Sequence, residues 1–104
     1  MNDNEIEKEI QDKGLTAPRL TPNHINSMVL AEQYHRFPGT CMTVCCLTLK
    51  NGFQVVGESS CASPENFDYE LGQKIAKATA IDKIWPLEGY LLKQRLSEQP
   101  DICE

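Results

Sequence analysis

Asn51-Gly52 stands between two apolar runs, and it constrains the fold more than any other feature of the chain. Asn-Gly is the strongest short hairpin signal, because both residues tolerate positive φ. Residues 40–49 are rich in Thr, Val, Leu and Cys, and they read as a strand leading into the turn. Residues 53–61 read as its return strand. In the first strand Cys41, Cys45, Leu47 and Leu49 point one way, and Met42, Val44 and Cys46 the other. A strand apolar on both alternating sets is expected to be covered on both faces. Two strands are too few for independent stability. The sequence therefore predicts that a further strand or a second subunit completes the sheet, and it predicts a homo-oligomer on that ground.

The remaining elements are helical. Ile6 and Ile10 lie four apart in residues 3–13 and give a short helix one apolar stripe, with Gly14 as its stop. Residues 15–20 hold Pro18 and form an extended connector. Thr21-Pro22 opens a second helix, because Thr caps free amides and Pro suits the first turn. It runs to about Tyr34, with Ile25, Met28 and Val29 on its buried face. After a polar loop over residues 62–68, Asp68 or Asn66 caps a long helix over residues 69–85. Leu71, Ile75, Ala78 and Asp82 form its stripe, with Ala76 and Ile84 adjoining it. Pro86 predicts a break at Trp85-Pro86, with a second helical piece through Leu91, Leu92 and Leu96. Gly57 marks a bulge, or a place where another backbone or a ligand comes close. The fold class is α+β: an antiparallel hairpin packed against helices, with an N-terminal helical segment.

A chain of 104 residues fits one domain. Residues 1–20 form the N-terminal helix and connector, 21–96 the core and 97–104 a frayed tail. The formal net charge of −5 argues against non-specific binding to duplex nucleic acid. The charge is uneven: residues 70–96 carry five cations against three carboxylates, enough to face a small phosphate. No run approaches the roughly 20 apolar residues of a membrane span, and the acidic N-terminus has no signal-peptide pattern. The five cysteines, Cys41, Cys45, Cys46, Cys61 and Cys103, are odd in number and sit mostly in apolar runs. They read as reduced thiols of an intracellular protein, four of them as core side chains.

No catalytic constellation is legible. His24, in the first turn of a helix, and His35, in a loop, are the only histidines, and no Cys or His pair has zinc spacing. Cys45 and Cys46 lie mid-strand, where burial raises a thiol pKa and leaves it inert. Ser59 and Ser60 lack a nucleophile-elbow context. The glycines form no phosphate-loop or dinucleotide pattern. The expectation is a protein without enzymatic activity, metal or cofactor.

Several blocks in order carry a resemblance: Lys13-Gly14-Leu15-Thr16-Ala17-Pro18-Arg19, Thr43-Val44-Cys45 to Leu49, Asn51-Gly52-Phe53, Val56-Gly57-Glu58-Ser59, Asn66-Phe67-Asp68 and Lys83-Ile84-Trp85-Pro86-Leu87-Glu88-Gly89-Tyr90. Together they resemble a family of small tailed-phage and prophage proteins named after phage early genes. The likeness covers nearly the whole chain. The hairpin-to-tryptophan part is also similar to the Thoeris anti-defence proteins of the first type. Those proteins sequester cyclic ADP-ribose signals made by bacterial TIR-domain enzymes; some also bind cyclic oligonucleotides, and they assemble as dimers or hexamers. The resemblance implies a counter-defence protein in the host bacterial cytoplasm that captures a small cyclic nucleotide without chemistry. The alternative is a phage protein that binds and inhibits a host protein.

The expected ligand site lies where the return strand, the 63–68 loop and the Lys83-Trp85 corner converge. Ser63 and the loop open a helix N-terminus, where free amides favour a phosphate. Asn66 reads a base or ribose edge. Phe53 or Trp85 offers a stacking face, Lys83 a cation, and Arg36 a second cation from a neighbouring subunit. The bland alternative is that the loop is only a cap, with Phe53, Phe67 and Trp85 in the core.

Overall fold

The computed structural model describes residues 3–14 and 18–99. The element order is α1 (Asp3–Asp12), α2 (Pro22–Ser27), β1 (Val29–Arg36), β2 (Thr43–Leu49), β3 (Gln54–Ser59), a 3-10 turn (Pro64–Asn66), α3 (Tyr69–Asp82) and α4 (Ile84–Ser97). The strands form one antiparallel sheet in the order β1-β2-β3. The fold is therefore α+β, as the sequence predicts. Part of the 15–20 connector and most of the 97–104 tail, with Cys103, lie outside the described residues.

The hairpin forms at Asn51-Gly52, but with a three-residue loop. Leu49 N–H donates to the Phe53 carbonyl at 2.8 Å, and Gly52 N–H donates to the Leu49 carbonyl at 2.8 Å. Within the loop Gly52 alone takes positive φ, at 90°. Asn51 instead uses its side chain, whose Oδ1 accepts from Phe53 N–H at 2.9 Å.

The second helix stops early. Thr21 caps it, accepting from His24 N–H at 3.1 Å, but it ends at Ser27 rather than near Tyr34. Residues 29–36 become β1, so His35 sits on a strand rather than in a loop. The apolar β2 needs a partner on its free edge, and pairing there outweighs a weak helical pattern. This is the third strand that the hairpin alone required. A register shift between Val29 and Ala31 puts the sheet's irregularity in β1, where Leu30 stands 67% exposed.

One face of the sheet is covered. Thr43, Cys45, Leu47, Leu49 and Val55 are buried under α3, while Val44 and Cys46 on the other face stay half-exposed. The expectation that both faces of β2 are covered is corrected by this asymmetry. The helix stripe is also corrected. Ala76 and Ala80 are fully buried, whereas Leu71 and Ile75 are 53% and 47% exposed. The reason lies across the interface. A β-carbon on Gly57 would overlap the Ala76 carbonyl oxygen and the Ala80 amide nitrogen. Alanines and glycine meet there so that helix and sheet backbones can touch. Gly57 marks a close approach and not a bulge, and it pairs with Cys45 in unbroken register.

Asp68 caps α3, its Oδ1 accepting from Leu71 N–H at 3.2 Å. The break between the two C-terminal helices falls at Lys83 rather than at Trp85-Pro86. Pro86 consequently sits in the first turn of α4, where its missing N–H leaves no helical bond unmade. Ile84 and Glu88 are buried, and beyond them α4 is exposed or half-exposed. The radius of gyration is 17.3 Å, against about 13 Å for a compact chain of this size. The molecule is correspondingly long, with extents of 60 × 32 × 18 Å. No described helix is long and apolar enough to cross a membrane.

Candidate ligand groove

The hairpin turn and α4 enclose an open groove of about 750 Å³. Its volume is within the roughly 300–1,000 Å³ usual for small-molecule sites. Met28, Leu49, Phe53, Pro86, Leu87 and Leu91 line it with apolar surface. Phe53 and Tyr90 stand 54% and 73% exposed, an unusual state for rings this large. Lys50 from the turn and Arg95 from the last turn of α4 bring positive charge to the same groove. Neither forms an ion pair among the described residues.

One carboxylate also lines the groove. Glu88 is 4% exposed, and its Oε1 lies 3.0 Å from His24 Nε2. That contact ties α4 to α2 across the sequence and fixes the carboxylate's position. The groove thus offers two ring faces, two unpaired cations and one anchored acceptor.

The six residues singled out in the sequence do not converge. The 63–68 loop and the Lys83-Trp85 corner sit at opposite ends of α3 (Tyr69–Asp82), a separation of about 20 Å at 1.5 Å per residue. Phe53 alone lines the groove. Asn66 lines a cavity of about 260 Å³ with Phe67, Asp68, Cys41 and Cys61. Ser63 makes a different contact: its carbonyl accepts from Cys61 Sγ at 3.4 Å. Trp85 is half-buried and faces Ile6, Ile10 and Pro22. Lys83 Nζ donates to the Val56 carbonyl at 2.6 Å, which ties that cation to the β3 edge.

Arg36 reaches the 63–68 loop from its own chain. Its guanidinium lies 4.3 Å from the centroid of the Phe67 ring, and Phe67 stacks on Tyr69 at 6.4 Å. No neighbouring subunit is needed to bring it there. The N-terminus of α3 is already met by the Asp68 carboxylate, so a phosphate would face an anion there. The loop is a cap in this structure. Phe67 is half-buried beneath Arg36 rather than in the core, and Phe53 is not in the core either.

Lys50, Tyr90 and Arg95 escaped the sequence reading. Lys50 and Phe53 flank the turn, and Tyr90 closes the Leu87-Glu88-Gly89-Tyr90 block. Those two clues become one signal only when α4 folds back against the turn. No group of three metal-ligating side chains occurs among the described residues.

Residues 20–96 match the model of one protein family, described as phage protein (N4 Gp49/phage Sf6 gene 66). No curated protein and no solved structure matches the chain.

Proposed function

The chain belongs to this family of phage proteins, and from that premise we propose that it captures a small cyclic nucleotide signal of the cyclic ADP-ribose type, without transforming it. One observation carries the reading: two exposed rings and two unpaired cations share one apolar groove. A nucleobase stacks on Phe53 or Tyr90, and such stacking contributes roughly 1–3 kcal/mol per base. Lys50 and Arg95 meet the phosphates. Glu88, held by His24, accepts from a ribose hydroxyl or an exocyclic amine. Capture needs no nucleophile and no general base, and none is assigned to the groove. The net charge of −5 repels polyanions from the rest of the surface, so the groove favours a small ligand over nucleic acid.

Tight capture also favours assembly. The groove is open on the Tyr90 side, and Leu91 beside it is 41% exposed. A second copy of the chain laid along α4 would cover both and shield the ligand from water. We therefore read the functional form as a homo-oligomer acting in the host cytoplasm.

The second reading is a phage protein that blocks a host protein. Phe53, Leu87, Tyr90 and Leu91 are exposed together, and contiguous apolar surface of this kind also suits a protein partner. The two unpaired cations and the anchored carboxylate favour the nucleotide.

Isothermal titration with cyclic ADP-ribose isomers and cyclic oligonucleotides tests the proposal. The expected result is saturable binding of at least one of them, with the ligand recovered intact on denaturation. Absence of binding by every member of the panel overturns it, and so does recovery of a cleaved product.

A further inference from the structure

Two thiols at the far end of the sheet from the groove belong to no function described so far. The β2–β3 register pairs Thr43 with Ser59 at its end. Continuing both strands by two residues sets Cys41 opposite Cys61. Both side chains line the same cavity of about 260 Å³. Both are half-buried and unbridged. Directly opposed residues of an antiparallel pair hold their β-carbons about 4.5–5.5 Å apart. A disulfide needs roughly 3.5–4.5 Å. The difference is small, and residues 60 and 61 lie beyond the end of β3, where backbone shifts disturb no ladder bond.

We propose that Cys41 and Cys61 are a cross-strand dithiol that closes reversibly to a disulfide on exposure to a disulfide oxidant such as glutathione disulfide. One protein thiolate attacks the oxidant and releases a first glutathione, leaving a mixed disulfide on the chain. The second protein thiolate then attacks the protein sulfur of that mixed disulfide and releases the second glutathione. The two protein thiols lose two electrons and two protons, and glutathione disulfide gains them.

The other described cysteines do not compete. Cys45 is fully buried, and Cys46 sits on the opposite face of β2, paired with Val56. Partial burial and the neighbouring Cys41 thiol push the Cys61 thiol up. Its thiolate fraction is small near neutrality, so closure speeds up as pH rises. In a reducing cytoplasm the pair stays open, and it closes only when the thiol pool is oxidised. The crosslink would pin the start of β2 to the loop ahead of α3 and narrow the cavity beside Asn66.

Equilibrating the full chain with glutathione buffers of graded redox ratio tests this. Remaining thiols are alkylated after unfolding, then counted and mapped by mass spectrometry. Oxidising buffers are expected to lower the count from the five of the reduced chain by two, with one peptide linking Cys41 to Cys61. The Cys61→Ser variant is expected to carry a glutathione adduct on Cys41 instead. The proposal is overturned if five thiols persist in the wild type at every ratio. Mixed glutathione adducts without a crosslink, or bridges joining any other pair, overturn it equally. The wild-type map decides the matter even if the variant fails to fold.

Discussion

Gly57 of β3 lies directly against the backbone of Ala80 in α3, with no room between them for a β-carbon. That contact sets the distance between helix and sheet, because backbone rather than a flexible side chain blocks the way. Gly57→Ala must push the helix outward or bend the strand, and overpacking of this kind costs about 1–3 kcal/mol or more. Gly39→Ala is the control for glycine replacement in open space; its φ of 78° makes it strained, but a β-carbon there would meet nothing within 4 Å. Urea denaturation should show the larger loss at Gly57. A Gly57→Ala variant as stable as the wild type would contradict the packing.

Asp68 is predicted to act as a helix cap and nothing more. Asp68→Ala removes the acceptor for Leu71 N–H and should cost about 1 kcal/mol, while Asp68→Ser or Asp68→Asn restores most of it. Ligand affinity should stay unchanged in all three. A change in affinity without a change in stability would return the site to the 63–68 loop.

Groove variants should separate binding from folding. Tyr90 is 73% exposed, so Tyr90→Ala should leave the melting temperature almost unmoved. The same change should weaken nucleotide binding by roughly tenfold or more, as loss of a stacking face does. Arg95→Ala should weaken binding and flatten its salt dependence. Asn66→Ala, at the far end of α3, should change neither. Titration calorimetry of the three variants at two salt concentrations checks this.

Acid should weaken the edge strand. Glu32 of β1 meets Lys77 Nζ at 2.8 Å and accepts from Tyr34 O–H at 2.9 Å. These two contacts, Lys77 first, hold its carboxyl below the ordinary value of 4.5. The folded pKa is thus below the unfolded one. The pair's contribution is complete above pH 4.5 and is lost as pH falls through the lower folded value. Because both side chains are about two-fifths exposed, the effect is expected to stay under about 1 kcal/mol. Stability curves of the wild type and Glu32→Gln should converge in acid and diverge near neutrality.

Local signals were the legible part of this sequence. Thr21-Pro22, Asn51-Gly52 and Asp68 each act within a few residues, and each forms the cap or turn it predicts. Misreadings arose where a distant partner decides. Residues 29–36 carry a weak helical pattern, yet β2 offers them an edge. Leu71 and Ile75 look like the buried stripe of α3, yet Gly57 admits only Ala76 and Ala80. Cys46 looks like core until the helix proves to cover only one face of the sheet. The residues of the expected site are dispersed for the same reason. Phe53 was legible as an aromatic beside a turn, but its companions Tyr90 and Arg95 lie about forty residues on, and only the fold brings them together.

His24 and Glu88 are 64 residues apart in sequence, and they hold the start of α4 to the rest of the molecule. The three strands, by contrast, each neighbour the next in chain order. Such a meander closes only short loops, whereas the α4 wall of the groove depends on the last described helix. The two walls are therefore expected to open as different cooperative units. Backbone amides of β2 should exchange with solvent only on global unfolding, while those of α4 beyond Glu88 exchange through a cheaper local opening. Each such opening dismantles the groove while leaving the sheet intact. Any molecule that binds there must slow exchange in a helix whose far half has few contacts of its own.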